Sequence, residues 1–185
     1  LSLIETESEI VDEPGSVAGG KIRGELELSH VSFRYGKDQL IFDDLSLRIP
    51  AGQTLAVVGE TGSGKSTLVN LLCRFYEPTS GEILIDGIDY RTHTQHWLHS
   101  QLGYVLQTPL LFAGTIRENI RYGRLDASEE EIVSAARDAN ALGFIDRLEK
   151  GFDTTVGEGG VLLSTGQKQL ISLARALVAD PRIMV

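Results

Sequence analysis

The sequence predicts an α/β fold, with a β-rich first third followed by a mainly helical remainder. Three observations support this prediction. Apolar and polar residues alternate in several short segments before residue 90, as expected for half-buried strands. A glycine-rich loop, residues 59–66, separates an apolar run from a segment with helical spacing. Beyond residue 125, apolar residues recur at helical spacing behind sequences that typically begin helices.

The predicted strands follow one another through the first third. The first strand starts near Leu26, and its apolar alternation shifts phase before Val31, which indicates a β-bulge. A second strand is expected through Leu45–Ile49. A Pro-Ala-Gly turn then leads into Thr54–Val58, an apolar run that predicts a buried strand. Another strand is expected at Glu82–Ile85, between two glycine-containing turns.

Helices are predicted after the glycine-rich loop and again in the later part. The segment beginning at Thr67 has the apolar spacing of a helix. Two later helices are expected to start at Ser128 and Ser164, because Ser-x-x-Glu and Ser-x-x-Gln form capping boxes. The second should end at Asp180-Pro181, since the residue before proline disfavours helix. An apolar strand is predicted to begin at Ile183.

Composition excludes several classes of protein. No apolar run approaches the roughly 20 residues that a membrane-spanning helix needs. The first residues do not combine a basic segment with an apolar stretch, so no signal peptide is predicted. The single cysteine, Cys73, lies in an apolar helix and is expected to be a small buried hydrophobe.

The charge of the chain is concentrated at its start. Net charge is −9, and five of the acidic residues lie in the first 20 positions, which contain no Lys or Arg. The rest of the chain carries only −4, and a nucleic-acid-binding protein would instead need a basic face. We interpret residues 1–24 as an acidic linker from a preceding domain, and residues 25–185 as the folded domain.

The glycine-rich loop fits the phosphate-binding pattern G-x-x-x-x-G-K-[ST]. A strand, this loop and a helix in succession aim backbone N–H groups and a positive helix end at phosphates. Lys65 is expected to reach the β- and γ-phosphates, and the Ser66 hydroxyl to ligate Mg²⁺. We expect ATP contacts from the whole loop and the residue after it: Gly59, Glu60, Thr61, Gly62, Ser63, Gly64, Lys65, Ser66 and Thr67.

Three further segments narrow the chemistry. Leu163–Gln167 (LSTGQ) resembles the L-S-G-G-Q signature of ATP-binding cassette (ABC) proteins. Tyr104–Gln107 (YVLQ) resembles their Q-loop, and Val31–Tyr35 (VSFRY) the strand that bears their adenine-stacking aromatic. From about Gly24 to the last residue, the chain is similar to the nucleotide-binding domain of an ABC transporter. This implies a P-loop NTPase core with an antiparallel β subdomain and an α-helical signature subdomain.

The resemblance extends to the exporter branch. Gly114–Ile120 (GTIRENI) and Thr155–Gly160 (TVGEGG) are similar to the stretch after the exporter Q-loop and to the exporter X-loop. Glu158 is therefore expected near the intracellular helices of a membrane domain. An acidic segment ahead of the domain suits a half-transporter whose transmembrane domain is fused upstream. The implied place is the cytoplasmic side of the cell membrane, and the chain stops before the family's Walker B carboxylates.

The resemblance also implies residue roles around ATP. Tyr35 would stack on adenine, and Ile41 either lines the same pocket or belongs to the core. Gln107 would ligate Mg²⁺ and sense the γ-phosphate. Gln107 and Lys65 are the two residues expected to take part in catalysis. The remaining contacts would come from the signature of a second ABC domain, which would hold ATP in a head-to-tail dimer through Ser164, Gly166 and Gln167.

The signature departs from the family at one position, since Thr165 stands where its first glycine is usual. A homodimer and a mixed dimer with one weakened site are both compatible with this change. Two other functions remain open at this stage. One is a non-hydrolysing nucleotide-binding or regulatory module that only dimerises. The other is a soluble ABC ATPase acting on DNA or ribosomes, which the lack of a basic surface disfavours.

Overall fold

The computed structural model describes residues 10–36, 39–157 and 163–185. The chain divides into two compact units, Leu1–Gln101 and Leu102–Val185. We call the first the sheet unit and the second the helical unit, and describe each separately.

The sheet unit contains a four-stranded antiparallel sheet in the order β2-β1-β3-β4. In chain order the strands are β1 (Leu26–Tyr35), β2 (Gln39–Ile49), β3 (Ser80–Ile85) and β4 (Ile88–Asp89). The predicted bulge in β1 is confirmed. Its register against β2 shifts between Leu28 and Val31, where His30 adopts a φ of 51°. The shift keeps both Leu28 and Val31 on the buried face.

Two α-helices lie in the described part of the sheet unit. α1 (Lys65–Leu72) follows the glycine-rich loop, as predicted, and buries Leu68 and Leu71. α2 (Gln95–Ser100) begins at Thr94, whose hydroxyl accepts a hydrogen bond from the Trp97 backbone N–H. Cys73, just past α1, is fully buried, and burial raises the pKa of its thiol to about 11. The prediction that it acts as a small core residue is confirmed.

The prediction of a buried strand at Thr54–Val58 is wrong. This run is assigned to no strand, and every residue of it is exposed, Val58 to 87%. A strand forms only where a neighbouring backbone offers hydrogen bonds, and the described strands of the sheet unit pair with one another instead. The apolar composition of the run was therefore an insufficient signal.

The described part of the predicted linker, residues 10–24, belongs to the sheet unit and packs against the rest of it. It contains no helix or named strand, but Val17 forms a parallel bridge with His93. Backbone N–H groups of Arg23 and Glu25 donate to the Asp86 carboxylate at 2.6 and 3.0 Å. Ordered contacts thus begin well before Glu25, where the sequence predicted them to start. Residues 1–9 lie outside the described residues.

The described part of the helical unit contains four α-helices and two small pairs of strands. The helices are α3 (Ile116–Arg121), α4 (Glu129–Asp138), α5 (Leu142–Ile145) and α6 (Thr165–Val178). β5 (Leu102–Gly103) pairs in parallel with β8 (Ile183–Met184), and β6 (Gly114–Thr115) pairs antiparallel with β7 (Thr155–Val156). The strand predicted at Ile183 and the helix starts predicted at Ser128 and Ser164 are confirmed.

One apolar core holds the helical unit together. Its fully buried members include Ile116 and Ile120 of α3, Ile132 of α4 and Ile171 of α6. An α/β chain with an antiparallel sheet and a separate helical part confirms the predicted fold class. Among the described helices, none is both long and apolar enough to cross a membrane.

Candidate functional site

The glycine-rich loop bends sharply into α1. Gly62 and Gly64 have φ angles of 86° and 89°, in the left-handed region that favours glycine. A Cβ on Gly64 would also lie 3.0 Å from Ile41 and 3.1 Å from Phe42, so the loop packs directly on β2. A Cβ on Gly62 would meet nothing within 4 Å. The other loop residues, Glu60, Thr61 and Ser63, are exposed.

Lys65 folds back over the loop. Its ammonium group donates to the carbonyl oxygens of Gly59 at 2.8 Å and Glu60 at 2.7 Å. The positive charge therefore lies against the loop backbone and is held by neutral acceptors. Anionic oxygens form stronger hydrogen bonds with an ammonium group than carbonyls do, so an entering phosphate can replace these partners. Ser66, next to Lys65, is exposed on the first turn of α1.

The start of α1 has no side-chain cap, in contrast to the other described helices of six or more residues. Among the described helices of six or more residues, α2, α3, α4 and α6 each begin with a side-chain oxygen that accepts a backbone N–H. α1 begins at Gly64, which has no side chain to do so. Its first N–H groups and the positive end of the helix dipole are therefore available to an anion.

Two predicted adenine-site residues lie beside this loop. The Tyr35 hydroxyl is 3.2 Å from Oγ1 of Thr67, which is buried on α1. The Tyr35 ring makes edge contacts with Phe33 and Tyr76, at centroid distances of 4.9 and 5.1 Å. Ile41 is half-buried and approaches Gly64. The structure thus brings Tyr35, Ile41, Thr67 and the loop together within the sheet unit.

Gln107 lies in the helical unit. It is exposed on a bend that follows β5, and the segment leading to it is held by paired backbone hydrogen bonds between Val105 and Val185 and between Val185 and Gly103. A polar, exposed amide on a loop fixed at one end is suited to coordinate a cation.

The signature segment forms the start of α6. Ser164 and Gln167 make a capping box, in which Ser164 Oγ accepts the Gln167 N–H at 3.2 Å and Gln167 Oε1 accepts the Ser164 N–H at 2.9 Å. Ser164, Thr165 and Gly166 are exposed. Because the Gln167 N–H is already bonded, an approaching anion would meet the Ser164 hydroxyl and the N–H of Gly166. Thr165 is the first helical residue and does not have the positive φ that would require glycine.

Sequence reasoning missed the part played by Asn119 and Arg175. Asn119 is buried and fixes the loop before α3 through hydrogen bonds with the backbone of Phe112 and Thr115. Arg175 of α6 donates to Oδ1 and the carbonyl of Asn119, each at 2.8 Å, and its guanidinium lies 5.0 Å from the Phe112 ring centroid. The sequence signal that could have indicated this role is the arginine at position 175, within the largely apolar α6.

These contacts support an exposed aromatic patch on the helical unit. We define the patch by Tyr104, Phe112 and Tyr122, which are 40%, 41% and 59% exposed. The Phe112 and Tyr122 rings contact each other at a tilted angle of 43°, with their centroids 4.5 Å apart, so these two side chains form one continuous surface. Exposed apolar patches of this kind mark interaction surfaces.

The three histidines near α2 do not form a metal site. His99 bonds the Cys73 carbonyl at 3.0 Å, and His93 contacts Trp97 at a ring distance of 4.1 Å. The described residues contain no group of three or more His, Cys, Asp or Glu side chains placed to hold a metal ion.

Comparison with known proteins identifies the family. The sequence pattern of the ABC transporter family matches residues 42–185, which is most of the chain. The chain belongs to the ABC transporter family. It is 51% identical, over its full length, to an uncharacterised ABC transporter ATP-binding protein, YfiC, of Bacillus subtilis. It is 52% identical over 190 residues to ABC transporter B family member 21 of Arabidopsis thaliana.

A solved structure of a bacterial Atm1-family ABC exporter with ATP bound matches the ABC fold of this chain. It superposes with a TM-score of 0.92 over 99% of the chain, at 45% sequence identity. The chain is thus an ABC ATP-binding domain of exporter type. It spans 31% of YfiC, 15% of the plant protein and 32% of the exporter chain.

Proposed function

We propose that this domain binds MgATP through its phosphate loop and drives export by dimerising around the nucleotide. The observation that supports this most directly is the uncapped start of α1, with Lys65 folded over it. Every other described helix of six or more residues has a side-chain oxygen that accepts one N–H of its first turn. A helix end left open beside a lysine is suited to a phosphate group and costs stability when no anion is bound.

The residues predicted to contact MgATP have distinct roles in this proposal. The backbone of residues 59–66 wraps the phosphates, and Lys65 exchanges the carbonyls of Gly59 and Glu60 for phosphate oxygens. Ser66 would supply an oxygen ligand to Mg²⁺, which would neutralise charge on the phosphates during their transfer, and the family resemblance implies a second oxygen ligand from Gln107. Tyr35, fixed to α1 through Thr67, offers its ring to adenine beside Ile41.

The second half of the site would come from another ABC domain. The exposed start of α6 presents the Ser164 hydroxyl and the Gly166 N–H, while Gln167 holds Ser164 in place. Two copies arranged head to tail would each offer this surface to the ATP on the partner and close a twofold dimer. The helical geometry at Thr165 gives no backbone reason for this signature to fail.

The membrane domain is proposed to contact the aromatic patch. Tyr104, Phe112 and Tyr122 form an exposed apolar surface, and Arg175 and Asn119 hold it in position. We place this membrane domain upstream, joined through the acidic segment of residues 1–24, and the ATP-binding domain on the cytoplasmic side of the membrane. Glu158, also expected near this contact, lies outside the described residues.

The decisive experiment is a calorimetric titration of the chain with MgATP. We expect saturable binding that Lys65→Ala weakens by at least about 100-fold, because two or more charge-assisted hydrogen bonds are lost. Lys168→Ala, one turn inside α6, is the matched control and should bind ATP within about twofold of the unsubstituted chain.

Sedimentation velocity with a slowly hydrolysed ATP analogue tests the dimer. The proposal expects dimers only with nucleotide, and fewer in Ser164→Ala. Saturable ATP binding that leaves the chain monomeric at every concentration would contradict the dimerisation step.

A further inference from the structure

The residue after α1 has an unusual combination of backbone and side chain. α1 ends in a Schellman motif, in which the Phe75 N–H donates to Asn70 and the Arg74 N–H to Leu71. Arg74 takes the left-handed position of this motif, with a φ of 55°. Glycine is favoured there because any Cβ is strained. The choice of arginine must therefore be explained by its side chain.

The Arg74 side chain is completely buried and fully engaged. Its exposed fraction is 0%, and Nε donates to Glu77 at 2.8 Å while Nη1 donates to the His93 carbonyl at 2.8 Å. The guanidinium also lies 5.7 Å from the Tyr90 ring centroid. A buried guanidinium is tolerated only when its donors are satisfied in this way.

The remaining contacts of Arg74 reach the N-terminal segment. Nη2 donates to the Val11 carbonyl at 3.4 Å, and Nη1 is 3.7 Å from the Asp12 carboxylate. Asp12 in turn accepts the Gln95 backbone N–H at 2.8 Å. One side chain at the end of α1 thus binds both the N-terminal segment and the part of the sheet unit that follows α1.

The same segment continues along the sheet unit to Gly20. Val17 exchanges backbone hydrogen bonds with Thr92 and Thr94, at 3.1 and 3.2 Å. The Trp97 indole donates to the Gly20 carbonyl at 3.2 Å, and a Cβ on Gly19 would lie 2.7 Å from its ring. We call residues 10–20 the strap. Arg74 binds one end of the strap, and Trp97 binds the other end. Trp97 is the only tryptophan in the sequence.

We propose that Arg74 is a positioning residue that clamps the strap to the far end of the phosphate-loop helix, so that nucleotide binding and strap seating are linked. α1 is a rigid element of eight residues with the phosphate loop at its start and Arg74 just beyond its end. When phosphate binding displaces α1, Arg74 moves with the helix. Because its hydrogen bonds are directional, this movement changes how firmly the strap is bound to the sheet unit. The nucleotide part of this inference rests on the proposed function.

The clamp itself is tested without nucleotide. Arg74→Gly relieves the backbone strain and preserves the Schellman motif, but removes the guanidinium. We expect the Val17 amide to exchange hydrogen at least about tenfold faster in this variant, and Trp97 emission to shift to longer wavelength. Asp12→Asn should give the same changes to a smaller extent. Its matched control is Glu13→Gln on the exposed neighbour, which is not part of the Arg74 cluster.

The result that supports the clamp differs clearly from the result that overturns it. Faster exchange confined to the strap in Arg74→Gly and Asp12→Asn, but not in Glu13→Gln, supports the clamp. Unchanged Val17 exchange and Trp97 emission in Arg74→Gly overturn it. If Arg74→Gly unfolds, Asp12→Asn decides alone, since its carboxylate is partly exposed and its removal leaves the core intact.

The link to nucleotide uses the Trp97 signal during an MgATP titration. The unsubstituted chain should show a saturable emission change with the same midpoint as calorimetric binding. Arg74→Gly should bind ATP but lose most of the emission change, and Arg74→Lys should restore part of it. Calorimetric binding without any Trp97 response would overturn the link. Absence of calorimetric binding would count against the proposed function, and the clamp would be judged on the nucleotide-free measurements.

Discussion

The starts of α1 and α6 are two ways of building a positive helix end. α6 closes its own first turn with Ser164 and Gln167, and it remains exposed while doing so. α1 starts from Gly64 with no side-chain cap, and Lys65 bonds loop carbonyls instead. The start of α6 therefore has a side-chain cap without any ligand, and the start of α1 does not.

Under the proposed function, this difference predicts that the two helix ends contribute unequally to ATP binding. An uncapped turn that gains hydrogen bonds from a phosphate contributes most to affinity, because those N–H groups otherwise meet only water. A capped turn gains less, since one of its N–H groups is already satisfied. We expect α1 to determine whether a single domain binds ATP, and α6 to determine whether two domains close around it.

Gly64→Ala should give the largest effect on the uncapped end. The new Cβ meets Ile41 and Phe42 at 3.0 and 3.1 Å and sits at a φ of 89°. We expect a loss of roughly 2–4 kcal/mol in the free energy of unfolding of the sheet unit, from backbone strain and overpacking together. ATP affinity should fall by at least about tenfold, because the loop is displaced from α1.

Gly62→Ala is the matched control for that substitution. It has nearly the same φ, 86°, but its Cβ would meet nothing within 4 Å. Urea denaturation should therefore show a loss of only about 1 kcal/mol. Equal losses in the two variants would contradict the packing of Gly64 on β2 as the cause.

Ser164→Ala should separate capping from dimer closure. Loss of the cap lowers the free energy of unfolding by about 1 kcal/mol, and Ser128→Ala at α4 should cost a similar amount. Only Ser164→Ala should also weaken nucleotide-dependent dimerisation, measured by sedimentation. If both variants weaken it equally, the signature acts through stability alone, and the functional contrast between α1 and α6 fails.

Two substitutions of Tyr35 test how much its ring and its hydroxyl each contribute to ATP binding beside α1. Tyr35→Phe removes the hydroxyl that contacts Thr67 but keeps the ring, so ATP affinity should change by less than about threefold. Tyr35→Ala removes the stacking surface and should lower affinity by about five- to tenfold, corresponding to roughly 1 kcal/mol or slightly more. Calorimetry on both variants distinguishes ring stacking from a merely structural hydroxyl.

Much of this site was predictable because its signals are local. The loop, the helix that follows and the capping boxes at Ser128 and Ser164 depend on residues within a few positions of one another. The strand at Thr54–Val58 was predicted wrongly, because a strand depends on a partner that the local sequence does not specify. The burial of Arg74 against Val11 and Asp12 joins residues more than 60 positions apart, which no local pattern reveals.

Acid pH should distinguish the helices whose capping box contains glutamate from the helix whose capping box contains glutamine. The capping boxes of α3 and α4 use Glu118 and Glu131, whose pKa values are lowered below the usual 4.5, chiefly by the backbone N–H groups of Thr115 and Ser128. A lowered pKa in the folded state means that stabilisation is full above about pH 4.5 and is lost as pH falls through the lowered value. The capping box of α6 uses Gln167, which does not titrate.

Hydrogen-exchange protection measured between pH 6 and 3 should therefore fall at the Glu118 and Glu131 amides before it falls at the Gln167 amide. Glu131→Gln should remove the pH dependence at α4 and leave that at α3 intact, because glutamine can make the same capping box without titrating. A parallel loss of protection at Gln167 would mean that global acid unfolding, and not the capping carboxylates, controls these helix starts. If instead Gln167 stays protected, the start of α6 keeps its capped geometry at a pH where the starts of α3 and α4 have begun to fray.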